Sequence, residues 1–99
     1  MDLVTIDASF ISLTMLIPRI PAVLKPGGKC LALVKPQFEV GREHVGKGGI
    51  VRDVKLQHDA IGKVADAGRA AGLVFVGSRE SAITGREGNR EFFVLFNKR

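Results

Sequence analysis

Three charged residues, Asp7, Lys35 and Glu91, stand at the ends of apolar segments that are far apart in the sequence. Carboxyl and amino side chains can transfer protons when a fold brings them together. Each residue also has an ordinary structural explanation. Asp7 could cap a helix or form a turn, Lys35 could be solvated at a strand end, and Glu91 could be an edge charge. Whether the three meet depends on the elements that carry them.

Four short apolar segments predict the strands that would position these residues. Helical patterns separate the first three, which favours parallel strands joined by right-handed crossovers. The connection before the last strand, Thr84–Asn89, has the composition of a turn, so this strand is predicted to run antiparallel. The predicted strands are Leu3–Asp7, Lys29–Lys35, Leu73–Arg79 and Arg90–Lys98.

Two helical segments are predicted between the first three strands. Ser12 can cap the first, and the prolines at positions 18 and 21 should bend it or break it into two short helices. Asp53 can cap the second, which runs to about Ala71 before Gly72 ends it. Its apolar stripe consists of Leu56, Ala60, Val64, Ala67 and Ala71.

The segment 36–52, between the second strand and this longer helix, is predicted to be a glycine-rich, basic loop. It is longer than ordinary connections, which indicates a functional or mobile segment. It is not a cofactor loop of the G-x-G-x-x-G type, which would directly follow the first strand.

The predicted topology places the three charged residues at one edge of the sheet. In open α/β sheets, ligands bind beyond the carboxyl ends of the parallel strands. Asp7 and Lys35 end two such strands, and Glu91 begins a strand of opposite direction. Their convergence favours a functional site over three unrelated charges.

Composition limits the classes of function. The chain has 99 residues, enough for one domain, and a net charge of +5, which favours an anionic partner such as nucleic acid or an anionic membrane surface. Its single cysteine, Cys30, excludes an intramolecular disulfide and indicates an intracellular, cytoplasmic protein. No apolar stretch approaches the ~20 residues of a membrane span. His44 and His58 lack companions with metal-ligand spacing, so no metal site is predicted.

The stretches "DLVTIDASFISL", "LVKPQFEVGREHVGKGGIVRD" and "GNREFF" closely resemble motifs of the TlyA family. These hemolysin A-like proteins are regarded as ribosomal RNA 2′-O-methyltransferases with an FtsJ/RrmJ-like domain. The resemblance covers essentially the whole chain, in order and spacing. It implies an α/β fold: the C-terminal half of a Rossmann-like S-adenosylmethionine methyltransferase sheet. Residues 1–99 would be a single partial domain, without the cofactor-binding N-terminal half and the S4-like RNA-binding domain.

The resemblance also implies roles for individual residues. The family uses a Lys–Asp–Lys–Glu tetrad, in which Asp7, Lys35 and Glu91 match the last three members and the first lysine has no counterpart here. Lys35 would be the general base that takes the proton of a ribose 2′-hydroxyl. The cofactor S-adenosylmethionine would contact Asp7, Ser9 and Phe10, and the phosphates of ribosomal RNA would contact Arg42, Lys47 and Arg52.

Two other functions remain open at this point. The basic loop could make the chain a non-catalytic RNA-binding fragment, and the hemolysin-like name could denote a membrane-active protein, although membrane contact is not expected. The resemblance implies that the chain alone is inactive, because part of the site is missing. The first strand would be an exposed apolar edge, which invites self-association.

Overall fold

The computed structural model describes residues 1–7, 11–40, 51, 53–81 and 89–99. These residues form one four-stranded sheet, with helices packed against one of its faces. The strands begin and end within two residues of the predicted bounds. They are β1 (Leu3–Ile6), β2 (Lys29–Val34), β3 (Leu73–Glu80) and β4 (Phe92–Lys98).

The sheet mixes parallel and antiparallel pairs in the order β1-β2-β4-β3. Strand β1 pairs parallel to β2, whereas β4 is antiparallel to both of its neighbours. The predicted α/β fold class, with parallel strands and one antiparallel strand, is confirmed. The spacing of the segments did not predict that β4 inserts between β2 and β3.

The segment between β1 and β2 forms two 3₁₀ helices, Leu13–Met15 and Ile17–Ala22, so the predicted interruption by prolines is confirmed. Ser12 caps the first helix by accepting a hydrogen bond from the backbone N–H of Thr14. At the end of the second helix, the Lys98 Nζ donates to the backbone oxygens of Pro21 and Leu24. A β4 side chain therefore satisfies carbonyl groups that the helix leaves unpaired.

Two α-helices follow β2: α1 (Pro36–Glu39) and α2 (Val54–Ala70). Asp53 caps α2 as predicted, and Gly72 follows its end with a φ of 89°. The predicted stripe is correct in the middle of α2, but Gln57 is buried at its start and Leu56 only partly. At Gly68, a Cβ atom would overlap the ring of Phe96, so glycine lets α2 approach the sheet closely.

The core lies between these helices and the sheet face that carries Ala32, Val34, Val94 and Phe96, all of them 0% exposed. The opposite face has no helix on it within the described residues. It carries an open apolar groove of about 360 Å³, whose lining includes Leu31, Val76, Phe93 and Leu95.

Strand β1 forms one edge of the sheet, and its Leu3 is 58% exposed. Self-association through this edge remains a prediction. None of the helices in the described part of the chain has the length and apolarity needed to cross a membrane.

Candidate active site

Lys35 stands where strand β2 changes into helix α1. Its backbone is still extended (φ −112°, ψ 101°), and it occupies the N-cap position of α1. Pro36 follows at the first helical position, where its missing N–H leaves no hydrogen bond unmade. The prediction that the whole segment 36–52 is a loop was wrong at its start, since Pro36–Glu39 is helical. This helical turn fixes the direction in which the chain leaves Lys35.

Lys35 forms an ion pair with Asp7. The Lys35 Nζ lies 2.6 Å from the Asp7 Oδ1, and the two side chains are 14% and 64% exposed. The parallel pairing of β1 and β2 puts both residues at the carboxyl ends of their strands, as predicted. The lysine is thus sheltered, whereas the carboxylate remains open to solvent or to a ligand.

Glu91 lies at the same edge of the sheet. The antiparallel ladder ends with the pair of Val34 and Phe92, and Lys35 and Glu91 are the residues that adjoin this last pair. Glu91 is 9% exposed, and its backbone oxygen accepts a 2.8 Å hydrogen bond from the N–H of Ser81. The fold therefore gathers Asp7, Lys35 and Glu91, although their catalytic roles remain predictions.

The other predicted site residues cannot be placed. Ser9 and Phe10, assigned to the cofactor, lie outside the described residues, and so do Arg42, Lys47 and Arg52, assigned to RNA. The apolar groove lies on the open sheet face, and none of Asp7, Lys35 and Glu91 is among its lining residues. Within the described ranges, no group of three or more histidine, cysteine or acidic residues could hold a metal ion.

The sequence analysis missed a buried carboxylate near this edge. Glu39 ends α1, and its side chain is 1% exposed. Its oxygens accept hydrogen bonds from the Ser12 Oγ at 2.5 Å and from the backbone N–H of Leu13 at 2.7 Å. The signal in the sequence was a glutamate four positions after Lys35, in "KPQFE".

A second missed feature is a buried clamp on the backbone of Val51. Its N–H donates to the Asn89 Oδ1, and its carbonyl accepts from the Gln57 Nε2, both at 2.9 Å. All three residues are less than 5% exposed. Because Asn89 stands two positions before Glu91, this clamp joins the start of α2 to the chain that enters the site.

Cys30 lies on the core side of β2 and is 0% exposed. Burial raises the pKa of its thiol from the ordinary value of 9.0 to about 11. A thiol with this pKa is protonated at neutral pH and is a poor nucleophile. Cys30 is therefore a core residue.

Known proteins resemble this chain in sequence and in fold. The family model described as FtsJ-like methyltransferase matches residues 1–98. The chain belongs to the FtsJ-like methyltransferase family. The "Putative rRNA methyltransferase YqxC" of Bacillus subtilis is 48% identical over 93 residues, which are 94% of this chain and 33% of YqxC. The 16S/23S rRNA (cytidine-2′-O)-methyltransferase TlyA of Mycobacterium tuberculosis is 40% identical over 93 residues, 94% of this chain and 35% of TlyA.

The fold of this FtsJ-like chain also matches that of a solved relative. The crystal structure of a hemolysin-named protein from Lactococcus lactis superposes with a TM-score of 0.94 at 42% identity, covering 99% of this chain and 47% of that one. The resemblance to TlyA and hemolysin A-like proteins is thus confirmed. The chain spans about a third of the length of the curated relatives described above.

Proposed function

We propose that this chain forms part of a cytoplasmic enzyme that methylates ribose 2′-hydroxyl groups of ribosomal RNA with S-adenosylmethionine as methyl donor. The observation that carries the proposal is the 2.6 Å pair of Asp7 and Lys35 at the carboxyl edge of the sheet. In an open α/β sheet such as that of an FtsJ-like methyltransferase, ligands are expected at that edge.

Lys35 is the proposed general base. A ribose hydroxyl becomes a good nucleophile only as its proton leaves, and a lysine can take that proton once it has lost its own. Because Lys35 is only 14% exposed, few water molecules can compete for the position of the hydroxyl.

Asp7 is the described residue that fits the cofactor. S-adenosylmethionine supplies an electrophilic methyl group on a positively charged sulfur. The Asp7 side chain is 64% exposed, so this carboxylate can face a cationic group while it holds Lys35. Ser9 and Phe10 are proposed as further cofactor contacts.

Glu91 and the basic residues complete the proposal. Glu91, which adjoins the ladder at the same end as Lys35, would hold the lysine or the ribose in place. The chain's net charge of +5 supports attraction to RNA phosphates, with Arg42, Lys47 and Arg52 as the proposed contacts. Such contacts supply salt-dependent affinity but carry no sequence information.

The test is transfer of a labelled methyl group from S-adenosylmethionine to ribosomal RNA. Residues 1–99 are assayed alone and within the full reading frame that encodes them. We expect activity in the full reading frame, and we expect Lys35→Ala to lower kcat at least about 100-fold there, as for loss of a general base. Alone, residues 1–99 are expected to be inactive.

Lys25→Ala is the matched control, because Lys25 also pairs with an aspartate beside β1 but lies at the opposite end of the sheet. We expect it to retain activity within about twofold, since exposed pairs contribute little. Full activity of Lys35→Ala would remove this lysine from the mechanism. Equal losses in both variants would indicate a general effect of charge on RNA binding.

A further inference from the structure

The buried carboxylate of Glu39 connects two segments that also meet through the ion pair. Glu39 lies four residues after Lys35, and its partners Ser12 and Leu13 lie five and six residues after Asp7. Its two hydrogen bonds, 2.5 and 2.7 Å long, therefore join the chain that leaves Lys35 to the chain that leaves Asp7. The same two segments are held together twice.

The two connections differ in strength. The Asp7–Lys35 pair has one exposed partner: the Asp7 carboxylate is 64% exposed, so water competes with Lys35 for it. The Glu39 side chain is 1% exposed, and a carboxylate that accepts two hydrogen bonds away from water is held firmly. The inner connection should therefore set the geometry of the outer one.

Helix α2 supports this inner connection. The Lys63 Nζ lies 3.8 Å from the Glu39 Oε1 and donates a 2.8 Å hydrogen bond to the Glu39 backbone oxygen. Lys63 partly balances the buried negative charge. Because α2 packs on the sheet, Glu39 is tied to the core as well as to Ser12 and Leu13.

We propose that Glu39 is a positioning residue, which holds Asp7 and Lys35 at their contact distance by fixing the segments that follow them. Its meaning for catalysis rests on the proposed function, whereas its effect on the pair does not. Asp7 and Lys35 would touch without Glu39 only part of the time, because water competes for the exposed Asp7 carboxylate.

Nuclear magnetic resonance of the lysine side chains tests this proposal. The ¹⁵Nζ chemical shift of each lysine is measured through its ε-methylene protons in the 99-residue chain. Asp7→Asn should change the Lys35 signal in the chain that contains Glu39. In a Glu39→Gln background, the same substitution should change it by less than half as much. A purely structural Glu39 that leaves the pair intact would give equal changes.

The pair of Asp2 and Lys25 provides the matched control. It joins the opposite ends of the same two strand segments and has no contact with Glu39 in the described residues. The response of the Lys25 signal to Asp2→Asn should be the same in both backgrounds. An equal decrease at Lys25 would indicate general loosening of the sheet and would overturn the proposal.

Milder variants keep the test decisive if Glu39→Gln does not fold, as judged from its core amide signals. Ser12→Ala removes one of the two hydrogen bonds and should reduce the Lys35 response partly. Lys63→Met leaves both hydrogen bonds of the Glu39 carboxylate in place but removes the support from α2, so it should reduce the Lys35 response less than Ser12→Ala does. Equal Lys35 responses in every background, or none in the unmodified chain, would overturn the proposal. Absence of methyl transfer would not overturn the proposal, because the magnetic resonance experiment does not measure catalysis.

Discussion

The two ends of strand β1 carry the same type of ion pair in different surroundings. Asp2 and Lys25 meet before β1 and β2, 3.8 Å apart, with side chains 87% and 67% exposed. Asp7 and Lys35 meet after the same strands, 2.6 Å apart, and Lys35 is only 14% exposed. The first pair is solvated on all sides, whereas the second belongs to an edge that also holds two buried carboxylic residues, Glu39 and Glu91.

This difference shows that burial of the lysine, and not residue type, distinguishes the end of the sheet that carries the proposed site. A solvated pair forms and breaks freely and cannot hold a reacting group. At the other end, the turn from β2 into α1 and the insertion of β4 cover the lysine but leave the Asp7 carboxylate accessible. Such an arrangement can present one charge to a ligand while it restrains the other.

The largest difference in stability between the two ends is expected when the buried Glu39 carboxylate is removed. Glu39→Ala should lower the free energy of unfolding by about 3 kcal/mol, because it leaves the buried Leu13 N–H without its acceptor and also removes the hydrogen bond from Ser12. Urea denaturation followed by circular dichroism measures this.

Asp2→Ala is the control at the solvated end and should change the free energy of unfolding by less than about 0.5 kcal/mol. Similar losses in the two variants would contradict the distinction between a sheltered and a solvated end. A loss below about 1 kcal/mol for Glu39→Ala would mean that its hydrogen bonds are easily replaced by water.

The start of β2, where Cys30 faces the core, should respond to alkaline pH. Burial raises the pKa of Cys30 in the folded chain from 9.0 to about 11, so between these values the unfolded chain loses the thiol proton and the folded chain keeps it. Stability that depends on the neutral thiol is therefore complete below pH 9 and decreases as the pH rises to 11. Two pKa units correspond to about 2–3 kcal/mol.

Cys30→Ala isolates this contribution, because lysine titration in the same pH range affects both proteins. The difference in unfolding free energy between the chain and the variant should decrease from pH 8 to pH 11. A difference that stays constant over this range would show that the thiol titrates normally.

Local sequence patterns predicted most of the elements and the charged edge itself. Apolar runs predicted all four strands, and Asp53 and Gly72 predicted the ends of α2, because caps and strand periods depend on neighbouring residues. The meeting of Asp7 and Lys35 followed from parallel pairing alone. These features need no knowledge of distant contacts.

Other features depend on packing between distant segments and could not be predicted in that way. Glu39 and Gln57 are polar residues that look solvent-exposed in the sequence, yet each is buried because backbone groups elsewhere need a partner. The place of β4 between β2 and β3 is likewise a property of the whole sheet. An apolar pattern predicts a strand but does not predict which strands lie beside it.

The smallest expected effect compares the two aspartates directly. At low ionic strength, Asp7→Asn should lower the free energy of unfolding by about 0.5–1 kcal/mol and Asp2→Asn by no more than about 0.3 kcal/mol, within the range of exposed pairs. In 0.5 M NaCl the Asp2 effect should vanish, because mobile ions screen solvated charges. More than half of the Asp7 effect should remain, since Lys35 is largely shielded from those ions. Equal salt sensitivity of the two variants would mean that the Asp7–Lys35 pair is screened as easily as the Asp2–Lys25 pair. The ion pair with Asp7 would then not hold the proposed general base in place.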